Sequence, residues 1–194
     1  MNPITKKLSF RARIVTGAAA CALLGAGTLG AVSATAAPAT TPSASTATGT
    51  PTAATAGKDV TRTTTHLTLD AATKAARAAL DAAKKAGQRV SVAVVDRNGS
   101  TLVQLRGDGA GPQSYESAVK KAYTAVSWNA PTSELVKRLD QVPTLKDIPG
   151  TLFLAGGVPV QAEGAPIAAI GVAGAPSGAL DEQFAQAGAE SLGS

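Results

Sequence analysis

Apolar positions recur every three to four residues in two long stretches of the chain, and this period predicts two amphipathic helices. The first stretch covers residues 69–86, where Thr68 is placed to cap the helix and Gly87 to end it. The second helix is predicted over residues 115–128, with Ser114 as its cap. The predicted inward positions are mostly alanine: Ala72, Ala76, Ala79, Leu80 and Ala83 in the first helix, and Ala118, Ala122, Ala125 and Val126 in the second.

Short runs of β-branched and apolar residues predict five strands. Two of them, Val90–Asp96 and Ser100–Arg106, flank Arg97-Asn98-Gly99, and an Asn-Gly pair in this position is a strong hairpin signal. Three more runs lie close together near the C-terminus, at residues 151–155, 158–161 and 166–173. Glycines between these three runs are predicted to supply the positive φ angles of tight turns: Gly156, Gly157 and Gly164.

Two further helices complete the predicted order of elements. One is short and runs from Thr132 to about Leu139, and the other spans Asp181–Leu192. The order α-β-β-α-α-β-β-β-α contains hairpins and no repeated βαβ unit. We therefore predict an α+β fold, in which a five-stranded, mainly antiparallel sheet packs against helices.

The N-terminal part of the chain resembles an export signal followed by a linker. Residues 1–37 combine a basic start, an apolar run and an Ala-x-Ala cleavage pattern, which predicts a signal peptide and a secreted, extracellular protein. A retained membrane anchor is the alternative interpretation of the apolar run. Residues 38–65 are dominated by Ala, Thr, Ser, Pro and Gly, which predicts a disordered tether. A glycosylated stalk or a cell-wall spacer is the alternative, and the folded domain is predicted over residues 66–194.

Charge and composition exclude several classes of function. Much of the formal charge of +5 lies in the basic start of the signal peptide, so the remainder offers no basic stripe for nucleic acid. The chain has one His, and its one Cys and one Met fall within residues 1–37. A cluster of His and Cys ligands is therefore excluded, and His66 lies too close to the tether to serve as the base of a triad. Asp181 and Glu182 are interpreted as first-turn charges of the last helix. Binding is favoured over self-contained catalysis.

Three stretches of the sequence together resemble the GlcG/HbpS family, also called the haem-degrading domain family. They read VSVAVVDRNGSTL, ESAVKKAYTA and GGVPVQAEGAPIAAIGVAGAPSGALDEQFAQAG, and the resemblance extends over residues 67–192. It is greatest to the secreted, haem-binding branch found in actinobacteria. The resemblance implies an α/β sandwich, a homo-octamer, and binding of haem and iron. It further implies slow haem breakdown and signalling of redox stress to a membrane sensor histidine kinase.

The same resemblance assigns residues to a haem site. It implies haem contact by Thr151, although a β-branched residue that opens a strand is the alternative interpretation. Lys and Arg at the pocket rim are expected to pair with the haem propionates, and the candidates are Arg106, Lys120 and Lys121. Strong axial ligation is left to His66, Tyr115 or Tyr123. The alternatives are a solvated His66, an exposed Tyr115 and a Tyr123 at the edge of the core.

Iron binding is implied for His66 and Glu116. In the family a Glu-x-x-Glu motif contributes to this site, whereas here Val119 stands at the second position, so the motif is broken. Two other functions remain open: an enzyme or accessory protein that acts on a small organic acid, and a structural or signalling module that has lost its haem site.

Overall fold

The computed structural model describes residues 53–193. The predicted signal peptide and residues 38–52 of the predicted tether lie outside this range. Within residues 53–65 there is one short 3-10 helix, Lys58–Val60, and it contains no buried residue. No helix among the described residues combines the length and the apolar character that crossing a membrane requires.

The first helix, α1, spans Leu69–Lys85 and begins and ends as predicted. The Thr68 side chain accepts a hydrogen bond from the Ala71 backbone N–H, which satisfies one of the unpaired donors at the helix start. Gly87 has a φ of 70°, and the next residue, Gln88, donates its N–H to the Ala83 carbonyl. This is the usual geometry of a helix that ends at glycine.

The sheet has four strands in the order β2-β1-β4-β3, and all neighbours are antiparallel. The strands are β1 (Ser91–Asp96), β2 (Thr101–Arg106), β3 (Gly157–Ala162) and β4 (Ala165–Ala173). The predicted hairpin at Asn98-Gly99 and the one at Gly164 are confirmed, since β1 pairs with β2 and β3 with β4. The central pair of strands, β1 and β4, is buried on both faces.

The predicted fifth strand is not formed. Residues 151–155 adopt no strand, although the sequence reads as a buried apolar run. The backbone N–H groups of this region bond to side chains and local carbonyls instead of a neighbouring strand. Of the three glycines predicted to have positive φ, Gly156 and Gly164 do, whereas Gly157 does not because it is the first residue of β3.

The second helix, α2, spans Pro112–Trp128 and starts three residues earlier than predicted. Gly111 is its N-cap, because Pro112 fits the first turn, where no backbone N–H is needed. The prediction that Ser114 caps this helix is therefore wrong. The Ser114 hydroxyl lies inside the first turn, where it bonds to the Gly111 carbonyl and to the Ser91 hydroxyl.

Helices cover both faces of the sheet. Alternate residues of β1 point in opposite directions: Val92 and Val94 pack in the cluster that contains α1 and the last helix, whereas Ala93 and Val95 pack against α2. The last two helices are α3 (Thr132–Lys137), followed by a 3-10 turn, and α4 (Gly178–Glu190), capped by Ser177. The predicted α+β sandwich is confirmed, with four strands in place of five.

The helix α2 lies unusually close to the sheet at Gly171 of β4. A Cβ atom built on Gly171 would come within 2.0 Å of the Ala118 carbonyl oxygen and 2.6 Å of the Ala122 nitrogen. Only glycine is compatible with this approach. The inward alanines of α2 thus fix the path of the helix, which runs along β1 from Ser114 beside Ser91 toward the hairpin turn.

Candidate functional site

The stretch 151–157, which we call the anchored segment, connects the helical region to β3 through side-chain hydrogen bonds. The Leu152 N–H donates to Thr124 Oγ1 of α2 at 2.8 Å. At the other end, Gly157 N–H donates to Thr132 Oγ1 at 2.8 Å. Between them, Phe153 packs edge-on against Trp128, with 5.2 Å between the ring centroids. The segment is thereby fixed in an irregular conformation.

Thr151 begins the anchored segment at the end of a tight turn. The Thr151 N–H bonds to the Ile148 carbonyl at 3.3 Å, and Gly150 takes the positive φ of 80° that the turn requires. The Thr151 hydroxyl donates its hydrogen to the same carbonyl at 2.7 Å. Because the hydrogen is used within the turn, the oxygen lone pairs remain available to a ligand.

The ring of Tyr123 lies between this turn and the β1–β2 hairpin. A Cβ on Gly99 of the hairpin would lie 2.7 Å from the ring, and a Cβ on Gly150 would lie 3.7 Å from it. Tyr123 is also next to Thr124, which holds Leu152. The structure therefore brings Tyr123 and Thr151, both predicted from the sequence, to one place, which we call the Tyr123–Thr151 face.

Two more predicted residues lie on the same side of α2 as Tyr123. Glu116, Lys120 and Tyr123 are spaced four and three residues apart, so they form one stripe along the helix. Lys120 Nζ lies 2.8 Å from Glu116 Oε1, and the side chains are 39% and 75% exposed. The hydrogen bond and the charge of Lys120 lower the pKa of Glu116 below its ordinary value. Tyr115 is 44% exposed, as its alternative interpretation expected.

Arg106 lies away from the Tyr123–Thr151 face. It pairs with Ser91 at one end of the β1–β2 hairpin, whereas Tyr123 contacts Gly99 in the turn at the other end. At about 3.4 Å per residue, the length of the strands separates the two ends by roughly 17 Å. The Arg106 guanidinium donates to the Ala110 carbonyl from Nε at 3.1 Å and Nη2 at 2.7 Å. Arg106 is thus an anchor of the loop before α2.

Lys121 is buried and does not lie at a rim, contrary to the position expected for it. Its Nζ lies 2.7 Å from Asp181 Oδ2 and donates to the Val172 carbonyl at 3.0 Å. The other carboxylate oxygen of Asp181 accepts the Ala175 N–H at 3.0 Å. Burial raises the pKa of Asp181, while Lys121 and backbone N–H groups partly offset this rise. Lys120 is exposed and Lys121 is buried because successive helix residues point about 100° apart. Haem contact by Thr151, Tyr123, Lys120 or Lys121 stays a prediction.

The predicted iron ligands do not form a prepared metal site within one chain. His66 is exposed ahead of α1, and its Nε2 lies 2.7 Å from Thr64 Oγ1. Glu116 is engaged with Lys120 on α2. Among residues 53–193, no three His, Cys, Asp or Glu side chains are grouped so that they could hold a metal ion. Iron binding by His66 and Glu116 stays a prediction.

Sequence reasoning missed the role of Glu182. Its Oε2 accepts hydrogen bonds from Ser133 N–H at 3.0 Å, Gly156 N–H at 3.2 Å and Thr132 Oγ1 at 3.4 Å. Its Oε1 accepts the Ser133 hydroxyl. Glu182 therefore joins the starts of α3 and α4 to the anchored segment. The signal in the sequence was the adjacent acidic pair Asp181-Glu182. In the structure both carboxylates accept backbone N–H groups from outside their own helix.

A cleft of about 570 Å³ lies beside Glu182 and is lined by α4, β3, the start of α3 and the anchored segment. Its lining is mainly apolar, with carboxylates and amides at the edge: Pro131, Ser133, Ala155, Val158, Ala179, Glu182, Gln183, Gln186, Ala187 and Glu190. This lining includes two carboxylates and, among the described residues, neither Lys nor Arg. A ligand that carries carboxylates is therefore disfavoured in the cleft by like-charge repulsion.

Comparison with known proteins gives a consistent match over the folded region. The family model described as "Haem degrading protein HbpS-like" matches residues 67–190. A crystal structure of HbpS is 74% identical, covers 73% of this chain and 100% of its own, and superposes with a TM-score of 0.72. A double mutant of HbpS from Streptomyces reticuli is 73% identical, covering 75% of this chain and 99% of its own, with the same TM-score.

Two more distant proteins match as well. The structure of a PduOC–heme complex is 26% identical, covers 66% of this chain and 95% of its own, and has a TM-score of 0.61. An uncharacterised 15.0 kDa protein from Citrobacter freundii is 34% identical over 113 residues, which are 56% of this chain and 80% of that protein. The fold, the matched residues and these relatives agree that the chain belongs to the HbpS-like family of haem-degrading proteins.

Proposed function

We propose that this protein binds haem at the Tyr123–Thr151 face. The observation that carries the proposal is the family match over residues 67–190, together with the 26% identical neighbour whose structure is a heme complex. The choice of face rests on Tyr123 and Thr151, which lie together although 28 positions separate them in the sequence. The acidic cleft beside Glu182 is the less suitable site, because haem itself carries two carboxylates.

The chemistry of the Tyr123–Thr151 face suits a large, flat and mainly apolar ligand. Ile148 and Leu154, three residues before and after Thr151, are 41% and 55% exposed although both are large apolar residues. A contiguous patch of exposed apolar side chains is typical of a binding surface, and we propose that Ile148 and Leu154 form such a patch with Thr151. Tyr123 supplies a phenol, which is a known type of axial haem ligand, and Thr151 supplies a hydroxyl oxygen. Haem bound here supplies redox-active iron.

The proposal extends to the setting in which haem is bound. Residues 1–37 have the pattern of an export signal, so we place haem binding outside the cell, with residues 38–65 as the tether. The description of the family supports haem breakdown. We propose that this breakdown is slow and that the released iron is captured at His66 and Glu116. We propose that the homo-octamer implied by the family resemblance supplies the remaining iron ligands from neighbouring subunits. A membrane sensor histidine kinase is the proposed partner for signalling.

Titration of the purified mature protein with hemin tests the function. Binding should shift the Soret band and saturate, and it should quench the fluorescence of Trp128, the one tryptophan in the chain. Free hemin in the same buffer, and hemin with an unrelated protein of similar charge, are the controls. An absorption spectrum that stays identical to that of free hemin at every protein concentration would rule out the proposed function.

A further inference from the structure

Arg97 lies in the β-hairpin turn that touches Tyr123. The turn is closed by the Gly99 N–H, which donates to the Asp96 carbonyl at 3.0 Å, and Gly99 is the residue that meets the Tyr123 ring. The Arg97 N–H donates to the Ile167 carbonyl at 3.0 Å, which ties the turn to β4. The backbone of Arg97 is therefore fixed at the edge of the Tyr123–Thr151 face.

The carboxylate nearest to Arg97 in the sequence, that of Asp96, is already hydrogen-bonded within the turn. Asp96 Oδ1 accepts two backbone N–H groups, those of Asn98 and Ser100, both at 2.8 Å. The guanidinium of Arg97, by contrast, has no hydrogen bond or ion pair with any residue in the range 53–193, although the residue is half-buried. A guanidinium presents five N–H donors in a flat fork that matches a carboxylate. The backbone of Arg97 is thus fixed, while its guanidinium has no anionic partner among residues 53–193.

The three cations that the sequence suggested for the haem propionates are already engaged. Arg106 bonds to the Ala110 carbonyl at the far end of the hairpin, and Lys121 is buried against Asp181. Lys120 lies on the stripe that contains Tyr123, but Glu116 compensates its charge. Of these cations, Arg97 alone belongs to the turn that contacts the Tyr123 ring through Gly99 and also has no hydrogen bond or ion pair of its side chain within residues 53–193.

We propose that Arg97 forms a carboxylate subsite at the edge of the Tyr123–Thr151 face. This inference rests on the proposed haem function, and it assigns to Arg97 the propionate pairing that the sequence suggested for Arg106. Arg97 orients the macrocycle so that one of its carboxylates points toward the hairpin turn. Such a charge-assisted, bidentate pair adds both affinity and a fixed orientation.

The test compares hemin with its dimethyl ester, which lacks the carboxylate charges, in wild type, Arg97→Gln and the matched control Arg106→Gln. Arg97→Gln should weaken hemin binding about tenfold or more, as expected for loss of a hydrogen bond to a charged group. The ester should bind to wild type and to Arg97→Gln equally, and Arg106→Gln should bind hemin as wild type does. Arg97→Lys should recover part of the lost affinity.

Two outcomes overturn the inference while leaving haem binding intact. One is unchanged hemin affinity in Arg97→Gln, and the other is an equal loss of affinity for hemin and for the ester, which would indicate a general change of the turn. Failure of the wild type to bind hemin would instead overturn the haem function, and this inference with it. Thermal unfolding of each variant establishes that the turn and the sheet remain folded.

Discussion

Lys121 and Asp181 form a buried ion pair whose structural role the sequence did not indicate. Their ion pair of 2.7 Å joins α2 to α4, and Lys121 also bonds to the last strand through the Val172 carbonyl. Both side chains are almost fully buried, at 5% and 4% exposed. The main role of the pair is therefore to fix the positions of α2 and α4, which lie on opposite faces of the sheet, relative to each other.

The buried pair leads to a prediction about stability and its dependence on pH. Lys121→Met leaves the Asp181 carboxylate buried without its cation, and the free energy of unfolding at pH 7 should fall by about 3 kcal/mol or more. Lys121→Met/Asp181→Asn should recover much of this loss, because no uncompensated charge remains.

Burial already raises the pKa of Asp181 above its ordinary value, and loss of Lys121 raises it further. A folded pKa above the unfolded value means that stability is lost as pH rises through the folded pKa.

Urea unfolding of the wild type, the single variant and the double variant at pH 4 and pH 7 measures these differences. The penalty of Lys121→Met should be smaller at pH 4, where Asp181 binds a proton more readily. Equal stability of Lys121→Met and wild type at pH 7 would contradict the assigned role of the pair.

Local patterns predicted the elements of this fold well, and long-range partners explain where they failed. The cap at Thr68, the end at Gly87 and the Asn98-Gly99 hairpin depend on residues close in sequence, so they could be predicted. The run 151–155 has the composition of a strand, but its conformation depends on the hydrogen bond from the Leu152 N–H to the Thr124 hydroxyl. These two residues are 28 positions apart in the sequence. No local pattern carries that information.

At the scale of elements, the close contact between α2 and β4 determines where α2 places Tyr123 relative to the hairpin turn. Gly171→Ala would place a Cβ 2.0 Å from the Ala118 carbonyl oxygen, which is a backbone atom that cannot move alone. The helix must shift, so the free energy of unfolding should fall by about 3 kcal/mol. Chemical denaturation measures the change, and Gly57→Ala is the matched control because no heavy atom lies within 4 Å of its added Cβ. Unaltered stability in Gly171→Ala would show that the close contact is absent.

At the scale of the whole molecule, the described sandwich carries two candidate binding surfaces. Ile148 and Leu154, which are exposed, lie within three residues of Thr151, and the hairpin turn that contacts Tyr123 carries Arg97, whose side chain has no hydrogen bond or ion pair within residues 53–193. The cleft along α4 has Glu182 and Glu190 in its lining. The anchored segment connects them, since Thr151 is at its start and Gly156 bonds to Glu182 near its end. Sequence predicted Thr151 and Tyr123 separately, but only the fold shows that they share a face while Arg106 does not.

The most direct test of the central claim, that haem binds at the Tyr123–Thr151 face, introduces histidine as a reporter ligand. The chain has one His of its own, His66, so a new imidazole beside bound ferric haem should change the spectrum clearly. We predict that Thr151→His converts the absorption and electron paramagnetic resonance spectra to those of a low-spin, histidine-ligated haem. Gln186→His, in the α4 cleft, is the control and should leave the wild-type spectrum unchanged. A low-spin spectrum in Gln186→His and an unchanged one in Thr151→His would contradict the account.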